Sequence, residues 1–160
     1  MSDRLRILCF GNSLHGDDGF GPALYRRLMD SALPAGVVAI EAGTRGLDAL
    51  PFFEHCPHLI LADAMAGTVA GRIRRLTPDT LPLDMQKPGS HGGGLPLLLA
   101  AMAAVIGTPP RIDIIAAELT RIAPFSPGLS APMRAAVEES LEIITATITA
   151  TPGDFRHAGA

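Results

Sequence analysis

LRILCFGNSLHGDDGFGPALYRRLMDSAL, residues 5–33, is the stretch that decides the fold. A short apolar run, LRILCF (5–10), leads into a glycine-rich turn. From Pro22 to Leu33 apolar residues then recur at helical spacing, with Pro22 in the first turn, where its missing N–H costs nothing. This is a strand–turn–helix unit, the repeating piece of a parallel sheet. The turn carries two adjacent aspartates, Asp17 and Asp18. Two carboxylates there repel a phosphate, and GNSLHG lacks the G-x-G-x-x-G spacing of a dinucleotide loop, so a nucleotide-binding domain is disfavoured. The loop suits a cation, a water or a peptide instead.

Outward from this unit the alternation continues. GVVAIEA (36–42) reads as a second strand and GLDALPFFEHC (46–56) as an irregular helical stretch cut by Pro51. HLILADA (58–64) is continuously apolar, as a strand buried on both faces should be, and it stops on Asp63. GRIRRLTP (71–78) sets Ile73 and Leu76 among arginines, the pattern of an edge strand. A helix from Gly94 ends at Gly107, read as its C-cap, and RIDIIAAEL (111–119) is another strand. SAPMRAAVEESLEIITATITA (130–150) is the last helix, with Ser130 as N-cap and Pro132 in the first turn. The expected fold is α/β: a three-layer α/β/α sandwich around a mostly parallel twisted sheet of about five strands, with one antiparallel edge strand. Residues 1–150 are expected to form a single domain and 151–160 a loose tail.

Composition narrows the partners. The chain has 160 residues, 48% of them hydrophobic, enough for one core. A net charge of −3 with 18% charged residues speaks against nucleic acid and for a small-molecule, peptide or protein partner. No apolar run reaches the roughly 18 residues of a membrane span, so no membrane association is expected. Cys9 and Cys56 offer neither a disulfide framework nor a metal spacing, and a reducing cytoplasm is the expected location.

In open parallel sheets ligands bind beyond the carboxyl ends of the strands, near a reversal of strand order. That rim collects Asn12, Asp17 and Asp18 from the first loop, EAGTRG (41–46) from the second, Asp63, and His91 within KPGSHGGGL (87–95). Carboxylates plus an imidazole are a ligand set for a divalent first-row metal. Each residue also has a plainer reading. Asp17 or Asp18 can cap the helix, Asp63 can be a satisfied structural carboxylate, and His91 can be a surface histidine, as His15, His55, His58 and His157 are read to be. Convergence of three independent loops on one rim favours a site. Ser13 and Ser90 lie in turns without an orienting base and Cys9 lies in an apolar run, which leaves hydrolysis by a polarised water.

GNSLHGDDGFGPAL, EAGTRGLDAL, HLILADAMAGTVAG and SHGGGLPLLLA, in that order and spacing, resemble the nickel–iron hydrogenase maturation endopeptidases over roughly residues 5–150. The resemblance implies metal ligands at Asp18, Asp63 and His91. Where other members can carry Glu, this chain has Asp18, whose reach is one methylene shorter, so Asp17 stands as a reserve ligand. It also implies the activity: removal of a C-terminal extension from a hydrogenase large-subunit precursor once nickel has been inserted. The nickel arrives with the precursor as the recognised element, and no organic cofactor is implied. The loop Gly43, Thr44, Arg45, Gly46 is the candidate grip on the substrate tail, with Arg45 placed to pair with a carboxylate or carbonyl. The alternative is a non-catalytic nickel-binding accessory protein, a metallochaperone using the same ligands. One departure is that AAELTRIAPFSPGLS lacks the proline expected just after the strand.

Overall fold

A computed structural model describes residues 3–82 and 94–150. Five strands, β1 (Leu5–Phe10), β2 (Val37–Gly43), β3 (His58–Ala66), β4 (Ile73–Leu76) and β5 (Arg111–Leu119), form one sheet in the order β2-β1-β3-β5-β4. All neighbours are parallel except β4, which pairs antiparallel with β5 at the edge. Three helices, α1 (Phe20–Asp30), α2 (Gly94–Val105) and α3 (Ala131–Thr149), and three 3-10 segments, Gly16–Gly19, Gly46–Phe53 and Pro78–Thr80, complete the architecture of the described residues.

Strand alternation divides the core into two layers. Along β3, Leu59, Leu61 and Met65 face one side, while Ile60, Ala62 and Ala64 face the other. The first side is covered by Leu95, Leu98 and Met102 of α2 and by Phe53 of the 3-10 segment. The second is covered by Phe20, Leu24 and Leu28 of α1 and by Met133, Val137 and Ile144 of α3. Both faces of β3 are therefore dry, which is why its sequence runs apolar instead of alternating.

Several boundaries differ from expectation. α1 stops at Asp30, not Leu33, because Ser31 turns to extended backbone (φ −92°, ψ 151°) and its hydroxyl bonds the Leu28 carbonyl at 2.6 Å. α2 ends at Val105, with Ile106 N–H donating to the Met102 carbonyl at 2.9 Å; Gly107 has no left-handed backbone and is not a left-handed cap. β4 is shorter than 71–78. β3 continues to Ala66, so Asp63 lies inside the strand instead of ending it. His58 is not a free surface histidine: its Nε2 lies 2.6 Å from Asp113 Oδ2, and Arg111 Nε is 3.1 Å from the same oxygen. Asp113 is buried in the sheet, and a buried carboxylate needs such partners. The expected tail and the loop bearing His91 lie outside the described residues.

The strand order positions the site. The chain leaves β1 towards β2 on one side and returns to β3 on the other, so the reversal falls between β1 and β3. Both the loop after β1 and the carboxyl half of β3 meet there.

Candidate active site

The loop after β1 is wired internally. Gly11 takes φ +133°, and a Cβ there would collide with the Asp18 carbonyl, so only glycine lets the chain fold back this tightly. Asn12 Oδ1 accepts from Leu14 N–H at 3.0 Å, an Asx turn, and the Asn12 carbonyl accepts from His15 N–H at 3.1 Å. The chain then enters a 3-10 turn, Gly16–Gly19, which holds both aspartates and feeds directly into α1.

The two aspartates have different fates. Asp18 is 8% exposed, and its Oδ2 and its carbonyl both accept from Asn12 N–H, at 3.1 and 3.0 Å. Asp17 turns away. Its Oδ1 accepts from Ser130 N–H at 2.7 Å and its Oδ2 from Ser130 Oγ at 2.8 Å, tying the first loop to the N-cap residue of α3. Ser130 Oγ in turn accepts from Met133 N–H. Neither aspartate caps α1, whose N-cap is Gly19 with no side-chain bond. The reserve ligand thus has both oxygens engaged in joining two elements.

Asp63, also 8% exposed, pairs with Ala116 of β5. The β1–β3 ladder ends at Cys9 and Ala62, so Asp63 is the first β3 residue beyond it. It lies on the α2 side of the sheet, in register with Leu61 and Met65. The 3-10 turn bearing Asp18 packs against β3, so the structure brings these two carboxylates to one end of neighbouring strands. His91 lies outside the described residues, and among the described residues no group of three His, Cys, Asp or Glu side chains could hold a metal ion. α2 starts at Gly94 and leads into the amino end of β5, so its first turn stands at the same carboxyl rim.

The Gly43–Gly46 loop hangs beside this rim. Gly11 N–H donates to the Gly43 carbonyl at 3.0 Å, and Gly43 and Gly46 both take φ +55°. Thr44 and Arg45 are exposed, and the Arg45 guanidinium stacks over the Phe52 ring, 5.5 Å from its centroid.

Residues 22–147 match the family model described as hydrogenase maturation protease. The chain belongs to the hydrogenase maturation protease family. It is 30% identical over 131 residues to the hydrogenase expression/formation protein HupD of Rhodobacter capsulatus, covering 79% of this chain and 62% of that relative, so it spans less than two thirds of that protein. With the hydrogenase 2 maturation protease of Escherichia coli (strain K12) it shares 27% identity over 149 residues, 91% of this chain and 90% of the other. Its fold matches that of the hydrogenase maturating endopeptidase HybD from E. coli with a TM-score of 0.77 at 24% identity, covering 91% of both chains.

For a member of this protease family, the thiols are as informative as the carboxylates. Cys9 is buried in β1, and burial, followed by the charge of Glu41, pushes its thiol far above the usual range, so it is no thiolate nucleophile. Cys56 is also buried and free, with its Sγ 3.2 Å from the His58 carbonyl.

Besides Asp113, sequence reading passed over a second buried carboxylate. Glu118, near the carboxyl end of β5, is fully buried on the same face as Asp63. Its Oε2 accepts from Thr68 and Val69 N–H at 3.0 and 3.1 Å, and its Oε1 accepts from Arg72 Nε at 2.8 Å and lies 3.4 Å from Arg74 Nη1. Burial works against its ionisation, but the Arg72 hydrogen bond, the Val69 and Thr68 amides and the Arg72 charge outweigh that, and its carboxyl is held below the ordinary range. The available signal was the run GRIRRL, whose arginines read as edge protection: two of them neutralise a buried acid on the neighbouring strand.

Proposed function

We propose that this protein is a cytoplasmic endopeptidase that removes the C-terminal extension of a nickel–iron hydrogenase large-subunit precursor after nickel insertion, using the nickel carried by that precursor as its recognition element. The carrying observation is the location of Asp18 and Asp63, two nearly buried carboxylates on separate elements, at the β1–β3 reversal. Both carboxylates are hard oxygen donors at the rim where a cation carried by a client would arrive. His91, three residues before α2 starts at the same rim, is the third ligand of the proposal.

In this reading the precursor's nickel is part of the substrate, and the protease completes its coordination with Asp18, Asp63 and His91. Ligation fixes the scissile peptide beside the site, converting a bimolecular attack into an oriented one. Water adds to the scissile carbonyl carbon, the C–N bond breaks, and the proton passes to the departing amine; a carboxylate of the pair accepts the water's proton first. Cys9 is buried within β1, and in this reading water is the nucleophile. The Gly43–Gly46 loop grips the tail, with Thr44 and Arg45 presented to solvent by two left-handed glycines.

The test is incubation of the protein with nickel-loaded precursor, followed by mass spectrometry. Loss of mass at the precursor's C-terminus from the nickel-loaded form, and none from a folded nickel-free form, is the expected result. Binding without mass loss identifies a nickel-binding accessory protein instead. Equal cleavage of the nickel-free form removes the sensing role.

A further inference from the structure

Beside the Asp18 turn, the loop after β5 holds an aromatic residue where the backbone calls for glycine. Ala123, Pro124, Phe125 and Ser126 form a β-turn closed by Ser126 N–H, which donates to the Ala123 carbonyl at 3.3 Å. Pro124 takes the second position and Phe125, at φ +55°, the third. These are the marks of a type II turn, whose third position favours glycine. A phenylalanine there holds a left-handed backbone against its own Cβ, and this one is 85% exposed. Single exposed apolar side chains are ordinary on a protein surface. One kept on strained backbone with its ring in water returns little to the fold, and such strain collects where a surface has work to do.

The ring is nonetheless held in place, because its turn abuts the first loop. His15 and Ser126 form a parallel bridge, and Gly16, at φ +61°, leaves room for Ala123, whose Cβ would lie 3.2 Å from a Cβ at position 16. Asp17 then bonds Ser130. The His15 imidazole meets the Phe125 ring edge to face, 5.7 Å between centroids and 73° between planes, and braces one side of it. Leu14, next along the chain, is also exposed, with its N–H bonded to Asn12 Oδ1. The segment TRIAPFSPGLS (120–130) carries one charged residue, Arg121, so what it offers around the ring is chiefly apolar. Of the eight large apolar side chains exposed among the described residues, five (Leu14, Leu47, Val69, Leu97 and Phe125) stand on segments at the carboxyl rim of the sheet, and Phe125 is the most exposed. A protein chain delivered to Asp18 arrives over this rim and comes within reach of Leu14 and Phe125.

We infer that Phe125, flanked by Leu14, is a positioning residue for the precursor: an apolar side chain of the precursor packs on its ring and seats the client over the Asp18 turn. The inference rests on the endopeptidase reading and gives it a contact that does no chemistry. Binding energy gathered there is common to the ground and transition states, so it lowers the half-saturating precursor concentration without changing turnover at saturation. It also accounts for the missing glycine. Glycine would relax the turn, and the client would lose its anchor.

The experiment compares wild type with Phe125→Gly, Phe125→Tyr and Met29→Ala, the last an exposed apolar residue near the far end of α1. Phe125→Gly is expected to raise the concentration of nickel-loaded precursor for half-maximal processing about tenfold, with turnover at saturation within about twofold of wild type. Its melting temperature should equal or exceed that of wild type, since glycine accepts the left-handed backbone. Phe125→Tyr, which keeps the ring, and Met29→Ala should process like wild type. Biolayer interferometry on immobilised nickel-loaded precursor reads the same loss without catalysis. Equal half-saturation and equal binding in wild type and Phe125→Gly overturn the anchor and leave the endopeptidase reading in place. A lowered melting temperature in Phe125→Gly means that the ring serves the fold, and overturns the anchor as well. A wild-type dimer that Phe125→Gly converts to monomer in sedimentation assigns the ring to a second copy of this chain, with the same consequence. If wild type binds the precursor without processing it, the endopeptidase reading falls and the binding comparison still decides the anchor.

Discussion

Asp17 and Ser130, 113 positions apart in the chain, share two hydrogen bonds of 2.7 and 2.8 Å that fasten the first loop to the start of α3. The pair is exposed, which limits its worth, yet bonds to an ionised acceptor are stronger than neutral ones. Asp17→Ala should cost about 1–2 kcal/mol in urea denaturation and Asp17→Asn less. Combined with Ser130→Ala in a double-mutant cycle, a coupling near 1 kcal/mol is expected. Strict additivity would show that the clamp contributes nothing.

Asp18→Asn and Asp63→Asn preserve size and should leave the far-UV circular dichroism of the protein unchanged. Processing of nickel-loaded precursor should fall by roughly 100-fold or more in each, the loss expected of a group acting on the reacting atoms. Wild-type rates in both variants would remove the carboxylate pair from the chemistry.

Glu118→Gln leaves Arg72 and Arg74 without their anion and should cost about 2–4 kcal/mol, below the full penalty for a broken buried pair because the two arginines are partly solvated. The sign with pH follows from the lowered carboxyl. Its contribution is present above about 4.5, the ordinary value, and is lost as pH falls through the lower folded value. Thermal melts between pH 7 and 3 should therefore show a smaller acid-induced loss in the variant than in wild type.

Gly21→Ala puts a Cβ into the Phe10 carbonyl at the junction of β1 and α1. The obstacle is backbone, which cannot rotate aside, so a loss of about 1–3 kcal/mol is expected from denaturant titration. An unchanged midpoint would mean that α1 shifts freely on the sheet.

Native protein should resist thiol alkylation, because Cys9 and Cys56 are both buried and burial raises the Cys9 pKa. Counting modified thiols by mass spectrometry before and after denaturation checks this. Rapid native labelling of Cys9 accompanied by loss of processing would reopen a thiol mechanism.

The layered sheet was legible from the sequence because its signals are local. Apolar runs, Pro22 and Pro132 in first turns, and Ser130 as an N-cap each act within a few residues. Asp18 and Asp63 were legible as rim residues for the same reason, since their strands announce themselves. The unread parts depend on distant partners. Nothing in GDDG says that Asp17 reaches Ser130, and nothing in RIDIIAAEL says that Glu118 meets Arg72, because those contacts exist only after β4 has docked antiparallel on β5. Likewise the run to Ala66 hid the end of β3, whose last residues pair with β5 after β1 has stopped.

The strand order also governs how the molecule comes into being at the ribosome. β3 and β4 follow one another in the chain, yet β5, made last among the strands, lies between them. Until Arg111–Leu119 has been synthesised, one long edge of β3 is open and β4 has no neighbour. A nascent chain that already contains Asp18 and Asp63 consequently lacks the ladder that supports Asp63, and it lacks Ser130, which anchors the Asp18 turn. The Asp18 turn and the Asp63 strand therefore reach their folded setting only after the start of the final helix has emerged. Pairing of β5 between β3 and β4 is non-local, the class of contact that forms slowly because loop closure must precede it.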